Sequence, residues 1–290
     1  MRICLRHSLT TLLFRRTLNG GLHAMASSND SIKKTIIVAL SLCLVCSVFV
    51  AAAAVGLKPI QNSNKDLDRK RNILSAAGML EPGKSVDEIF QTVETRIVNL
   101  QTGKFATQAE LDDAGIKVAS FDQKAASKDP KLSIALKGEN DPAGIKRRSN
   151  FSAVYLVKSG DKIERIILPV HGYGLWSTMY GFMALQNDFN TVIGFGFYDQ
   201  AETPGLGGEV DNPNWKALWK GKEIYNDQGE AVIHLVKGGV DSSDPKAAYK
   251  VDGLSGATLT SRGVTHLVQY WLGKEGFGPF LAQLRSEGVQ

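Results

Sequence analysis

The pattern of apolar and polar positions divides the chain near residue 58. Residues 35–57 form a run of 23 uncharged residues, rich in Val, Leu, Ile and Ala, between Lys34 and Lys58. At about 1.5 Å rise per residue the run makes a helix roughly 34 Å long, enough to cross a hydrocarbon core of about 30 Å. The pattern therefore predicts a transmembrane helix over 35–57. A cleaved signal peptide is the rival expectation, since Ala51, Ala52, Ala53 and Ala54 supply small residues, but the run exceeds the roughly 7–15 residues of a signal core. Residues 58–71 are polar and read as a stalk, and Leu67, Ile73, Leu74 and Ala77 predict a helix over 66–78 with Gly78 as its stop.

Beyond this point the periods shorten. Ser85 with Glu88 has capping-box spacing and predicts a short helix over 85–91. Residues 95–100 and 104–106 read as a hairpin around Gln101-Thr102-Gly103. Residues 122–150 are charged, with Pro130, Pro142 and several glycines, which is the composition of surface loops. Two further hairpins are predicted, 152–157 with 163–170 and 179–185 with 191–198. Gly194 and Gly196 alternate with Phe195 and Phe197 in the last of these strands, so something flat is expected to press on the sheet there. A helix over 212–219 and a strand over 231–236 follow. Val264, Leu267, Val268, Trp271 and Leu272 then mark an amphipathic helix ended by Gly273.

The fold class expected from this succession is α+β: an N-terminal transmembrane helix, then a soluble mixed α/β domain with antiparallel strands. Its first part is placed at 72–150 and its second at 151–290. No internal repeat is visible.

Charge changes this picture little. The chain has 34 Lys+Arg against 29 Asp+Glu, a net +5, but Arg2, Arg6, Arg15 and Arg16 lie in residues 1–24, which contain no acid. Without that stretch the balance is 30 to 29, so the basic surface expected of a nucleic-acid binder is missing. Residues 1–24 read as a start-site extension or leader, and 25–34, from Met25 to Lys33 and Lys34, as a polar cytoplasmic lead into the span. The span is flanked by Lys33 and Lys34 on one side and by Lys58, Lys65, Arg69, Lys70 and Arg71 on the other, so positive charges alone do not orient it. The three cysteines are Cys4, Cys43 and Cys46, so the soluble part holds neither a disulfide nor a thiolate metal site. Cys43 and Cys46 lie in the apolar run and are expected to act as small hydrophobes.

Two stretches carry candidate chemistry. Gly78-Met-Leu-Glu-Pro-Gly83-Lys84-Ser85 satisfies the phosphate-loop pattern, but that loop needs a buried strand before it, and the preceding segment is charged and helix-like. A helix stop, a Pro-Gly turn and a capped helix explain the same residues. His171, His234 and His266 have no metal-ligand spacing, and His171 is expected to face solvent or a hydrogen-bond partner. The stretch from Val251 to Gly263 is more informative. Small residues Ser255, Gly256 and Ala257 let backbone approach a ligand, Thr258 offers a hydroxyl, and Thr260 or Ser261 is the expected N-cap of the helix that follows. A phosphate suits the free amides at such a helix start, although a bare capping turn would look the same.

Asp252-Gly253-Leu254-Ser255-Gly256-Ala257-Thr258 resembles the flavinylation motif, D-x-x-[ST]-G-A-[ST], of the FMN-binding domains found in NqrC, a component of Na⁺-translocating NADH:quinone oxidoreductases, and in RnfG of the related Rnf complex. A second family motif stands intact as Glu202-Thr203-Pro204-Gly205-Leu206-Gly207. The single span, Gly172-Tyr-Gly-Leu-Trp176, Gly238-Gly239 and Phe277-Gly-Pro-Phe280 also look like the NqrC family, and the resemblance covers residues 25–290. Arg262 falls at a variable position, and residues 1–24 have no counterpart.

The resemblance implies that Thr258 carries FMN through a phosphoester, and that 151–290 is the FMN-binding domain. Asp252, Gly253, Ser255, Gly256 and Ala257 would then surround the attachment point. Thr203, Pro204, Gly205, Leu206, Gly207 and Trp176 are candidates to line the isoalloxazine ring, with an ordinary core tryptophan as the alternative for Trp176. Glu202 would hold its loop or face water. The implied function is an electron relay in a six-subunit, Na⁺-exporting NADH:quinone reductase of the bacterial inner membrane. In it electrons pass from NADH through other subunits and an iron–sulfur centre to this FMN, and on to the FMN of NqrB, riboflavin and ubiquinone. The soluble domain would be periplasmic, and a separate flavin transferase using FAD and Mg²⁺ would attach the FMN. Two other classes stay open on the residues alone: a membrane-anchored binding or assembly module with no redox cofactor, and a P-loop nucleotidase.

Overall fold

The structure, a computed structural model, describes residues 31–287. The expectations for residues 1–24, and for the first six residues of the 25–34 lead, lie outside that range. The chain divides into two units, Met1–Asn62 and Ser63–Gln290.

The first unit holds most of helix α1, Ile32–Ala76, a 45-residue helix long and apolar enough to cross a membrane, with none of its most apolar window buried in the protein. Pro59 lies inside the helix, and the polar stalk of 58–71 is helical rather than a separate linker. The reason is local: Asp66 pairs with Arg69 at 2.7 Å and with Lys70 at 2.9 Å, ion pairs at the i+3 and i+4 spacing that supports a helix. In the second unit α1 ends with Ile73, Leu74 and Ala76 buried, and Ala77, also buried, leads to Gly78, whose φ is +63°.

Helix α2, Val86–Phe90, follows, capped by Ser85 accepting from the Glu88 amide. Strands β1, Val93–Asn99, and β2, Lys104–Phe105, form the expected hairpin. Helix α3, Gln108–Asp113, begins with a full capping box between Thr107 and Glu110, a signal that the apolar periodicity did not expose. The stretch 122–150 is not all surface loop. It contains α4, Gln123–Ala126, and the pair β3, Ser133–Ala135, with β4, Arg147–Ser149, and it buries Ser133, Ala143, Arg148 and Ser149. Its polar residues are hydrogen-bonding partners: Arg147 donates to the Ser133 hydroxyl and carbonyl, and Arg148 donates to the Glu275 carbonyl.

Four long antiparallel strands complete the main sheet: β5, Phe151–Ser159; β6, Lys162–Tyr173; β7, Thr178–Gln186; and β8, Val192–Asp199. The order is β2-β1-β5-β6-β7-β8. Val154, Leu156, Ile166 and Leu168 point to one core, and Ala153, Tyr155, Val157 and Ile167 to the other. Both faces are therefore covered, which explains why β5 reads as a continuous apolar run instead of alternating. Helix α5, Pro213–Ala217, precedes a short parallel pair, β9, His234–Val236, and β10, Lys250–Asp252. The expected strand over 231–236 is thus cut to three residues, Ala231 making only an isolated bridge to Tyr225. Helices α6, Thr258–Leu272, and α7, Gly278–Glu287, close the domain; Val264, Leu267, Val268, Trp271 and Leu272 are buried, as their spacing predicts.

Two further expectations need correction, at the glycine-bearing strand and at His171, while residues 78–85 fold as the helix stop, turn and capped helix expected of them. The object pressed on the glycine-bearing strand is protein: a Cβ on Gly194 would lie 2.6 Å from the Ala76 carbonyl oxygen, and one on Gly196 would meet the Lys216 side chain at 3.5 Å. The phosphate-loop pattern at 78–85 is preceded by helix α1 and followed by the Ser85 cap, and its Lys84 pairs with Glu81 at 2.7 Å, so no strand feeds a phosphate site there. His171 is buried, and its ring has no described hydrogen-bond partner. Its ring stacks on Tyr180 at 5.3 Å and tilts against Trp271 at 4.8 Å, because its position in β6 points between the sheet and its covering elements.

Gly194→Ala forces a methyl onto backbone and should cost about 1–3 kcal/mol in urea unfolding; an unchanged midpoint would show that α1 does not pack there. Burial, with Lys124 adding to it, presses the His171 pKa down to about 4. Between pH 6.5 and 4 the unfolded chain then takes up a proton that the fold refuses, so stability falls with pH by up to about 3 kcal/mol. His171→Phe should remove that part of the slope, and parallel stability curves would contradict it.

Candidate functional site

Strand β10 leads straight into the turn 253–257 and then α6. The parallel pairing of β10 sets Val236 beside Asp252, and the Gly253 amide donates to the Val236 carbonyl at 2.8 Å. Asp252 is occupied by protein: its carboxylate accepts from the Val240 amide at 2.8 Å, and its carbonyl from the Trp215 indole at 2.9 Å. It thereby pins the Gly238-Gly239 segment beside the turn. Between these walls lies a cleft of about 860 Å³, whose lining includes Lys237, Gly239, Asp252, Gly253, Ser255, Gly256, Thr258 and Arg262. Ser255, Gly256 and Thr258 are exposed, whereas Ala257 is buried.

Helix α6 starts three to four residues earlier than expected. Thr258 is its first residue and Ala257 its N-cap, with no side-chain cap bond. The predicted caps are used otherwise: Ser261 accepts from the Leu254 amide at 3.0 Å, and Thr260 donates its hydroxyl to Glu202 at 2.8 Å. The amides of Thr258, Leu259 and Thr260 are consequently left without a described side-chain acceptor, at the positive end of a 15-residue helix. The arrangement suits one phosphate next to an exposed hydroxyl.

The second motif is fastened to the same turn. The Leu206 amide donates to the Thr203 carbonyl at 3.1 Å, with Pro204 at the second position and Gly205 at φ +74°, the residues that such a turn requires. Leu206 is 43% exposed and lies against Gly256, where a Cβ would sit 3.0 Å from its methyl carbon. Glu202 is only 5% exposed and serves five donors. One oxygen accepts from the amides of Trp176 and Ser177, both at 3.0 Å, and from the Ser177 hydroxyl; the other takes the Thr260 hydroxyl. The Leu175 amide reaches both oxygens at 3.2 Å. Gly174 and Gly207 leave room for the carboxylate, since a Cβ on either would stand within 2.9 Å of it. Burial raises the Glu202 pKa, but the Trp176 amide, the Thr260 hydroxyl and the Ser177 and Leu175 amides outweigh it and hold the carboxyl below its ordinary value.

Trp176 is 67% exposed, so it is not a core tryptophan; its backbone is held by Glu202. Thr203, Pro204 and Gly205 are exposed and Gly207 is buried against Thr260. None of these, nor Leu206, lines the 860 Å³ cleft. The two motifs meet, and the cleft opens on the β9–β10 side of the meeting point. Sequence reasoning missed Thr260, Ser177 and Gly174 as partners of Glu202. The available signal was one acidic residue heading an otherwise uncharged motif.

A family model described as FMN-binding domain matches residues 174–273. Among curated proteins, the NqrC chain of the Na⁺-translocating NADH-quinone reductase of Pseudomonas aeruginosa is 53% identical over 264 residues, covering 90% of this chain and 98% of that protein. Its counterpart from Vibrio anguillarum is 51% identical over 266 residues, covering 91% and 100%. Among solved structures, that of NqrC from Shewanella oneidensis superposes with a TM-score of 0.67 at 38% identity, covering 76% of this chain and 97% of that one. The equivalent reductase subunit of Parabacteroides distasonis gives 0.58 at 26% identity, covering 78% and 96%.

Because Glu202 titrates below its ordinary value, its contribution to stability is complete above about pH 4.5 and is lost as pH falls through the folded value. Denaturant midpoints measured from pH 6 to pH 3 should therefore drop more steeply below about pH 4.5 for the wild type than for Glu202→Gln. Equal slopes would mean that the carboxylate is not held as described.

Proposed function

The chain belongs to the NqrC family of Na⁺-translocating NADH-quinone reductase subunits, and from that premise we propose that it carries FMN as a phosphoester on Thr258 and relays electrons toward ubiquinone as the complex exports Na⁺. It is an electron-transfer subunit of an oxidoreductase complex, with an FMN-binding domain and other subunits as partners. The observation that carries the finer proposal is the exposed Thr258 hydroxyl, on the first residue of a helix whose leading amides have no described cap.

These residues fit the group. The Thr258, Leu259 and Thr260 amides would hold the phosphate, with the helix dipole behind them. Ser255, Gly256 and Ala257 keep the approach free of bulk, while Asp252 and Gly253 fix the turn to β9. Leu206 and Trp176 are exposed apolar side chains on backbone that the Glu202 carboxylate and the Thr203–Leu206 turn hold still, which suits one face of a planar ring. Thr203, Pro204, Gly205 and Gly207 shape that loop. FMN, when bound, supplies the electron transfer itself, and the protein orients and tunes it.

For attachment, the Thr258 oxygen takes the place of AMP on the flavin-side phosphorus of FAD. One phosphorus–oxygen bond forms, the pyrophosphate bond breaks, the hydroxyl proton leaves and AMP departs. A flavin transferase with Mg²⁺ performs this step. The 35–57 span is proposed to lie in the inner membrane with the soluble domain on its periplasmic side.

Coexpression with the transferase and denaturing electrophoresis should give a band that fluoresces under ultraviolet light, with the intact mass raised by one FMN phosphoester. Thr258→Ala should lose both signals. A colourless wild-type band of unmodified mass would overturn the assignment.

A further inference from the structure

We infer that Glu202 is the positioning residue that holds the Thr258 hydroxyl ready for flavin transfer, acting through Thr260. The inference rests on the assignment of Thr258 above and goes beyond it by naming what presents that residue. A helix start is ordinarily held by a capping side chain, but such a cap occupies the amides that a phosphate would use. Ala257 offers no such cap. Order in the first turn comes instead from within the protein, through the Glu202–Thr260 bond at 2.8 Å and the Ser261–Leu254 bond at 3.0 Å.

The helical repeat turns this bond into an orientation. Residues two apart on an α-helix are about 200° apart around its axis, so they face nearly opposite ways. Thr260 is 1% exposed and drawn inward onto Glu202; Thr258 is thereby turned outward, where it is exposed at the edge of the cleft. The same carboxylate holds the amides of Leu175, Trp176 and Ser177. One buried charge therefore sets the acceptor hydroxyl and the Trp176 backbone in a single frame. Gly207 belongs to this device, because a Cβ there would lie 2.6 Å from the Thr260 hydroxyl oxygen.

The test uses the full-length apo chain in detergent with flavin transferase, FAD and Mg²⁺, measuring covalent flavin against time over a range of chain concentrations. Thr260→Val, which keeps the shape and removes the donor, and Glu202→Gln should each lower the maximal rate about tenfold or more at unchanged KM for the chain, since small misplacements of a reacting group are costly. Thr260→Ser, which keeps the hydroxyl, should restore a rate near that of the wild type. Leu267→Ala, a buried α6 position away from the first turn, is the control for stability loss, and its maximal rate should not change. The inference is overturned if Thr260→Val and Glu202→Gln are flavinylated at the wild-type maximal rate. It is equally overturned if Leu267→Ala, matched in melting temperature, slows transfer as much. A wild-type chain that takes up no covalent flavin overturns the Thr258 assignment itself, an outcome distinct from a slow variant beside an active wild type.

Discussion

The site depends on one buried carboxylate. Glu202 is enclosed by the Leu175, Trp176 and Ser177 amides, the Ser177 hydroxyl and the Thr260 hydroxyl, and no described basic side chain forms an ion pair with it. A buried charge is costly unless its lone pairs are filled, and hydrogen bonds to a charged group contribute about 1.5–3 kcal/mol each. The fold meets that condition only when the β6–β7 connection at 175–177, the 202–207 loop and the first turn of α6 are all in place. This accounts for the composition of Glu202-Thr203-Pro204-Gly205-Leu206-Gly207: the acid makes the joint, Pro204 and Gly205 turn the chain, and Gly207 leaves room for the acid and Thr260.

A helix start stabilised from inside the protein is free on its outer side. The proposed attachment at Thr258 needs that freedom, because a conventional cap at position 257 would compete with a phosphate for the same amides. The electrostatics of the domain agree. The bulk of the chain is nearly neutral, and the charged side chains lining the cleft beside Thr258 are Lys237, Arg262 and Asp252, with the positive end of α6 next to them. The long apolar helix is long and apolar enough to cross a membrane, and the residues proposed to face a flavin lie in the unit that begins at Ser63.

Much of this is legible in the chain. The span, the hairpins from Phe151 to Asp199 and the amphipathic α6 follow from period and composition, because each is a local property, and the two motifs are legible through their resemblance to the family. What escapes such reading is non-local. Gly194 reads as room for a ligand, yet its neighbour is the Ala76 carbonyl, more than a hundred residues away. His171 reads as facing solvent or a hydrogen-bond partner, since nothing in sequence reveals Tyr180 and Trp271 beside it. Thr260 and Ser261 are sound caps by residue type, yet tertiary partners claim both hydroxyls and move the helix start to Thr258. The loops of 122–150 hide buried polar residues whose partners lie as far off as Glu275.

In this site the first turn of α6 is ordered by Glu202 while its leading amides stay open to an anion. Amide hydrogen exchange on the apo and flavin-loaded chain tests it most directly. The Ser261 amide, bonded to the Ala257 carbonyl at 2.9 Å, should be protected in both forms, whereas the Leu259 and Thr260 amides should exchange fast in the apo chain and slow once flavin is attached. Protection of Leu259 and Thr260 already complete in the apo chain, or a Ser261 amide exchanging at the unfolded rate, would contradict the account.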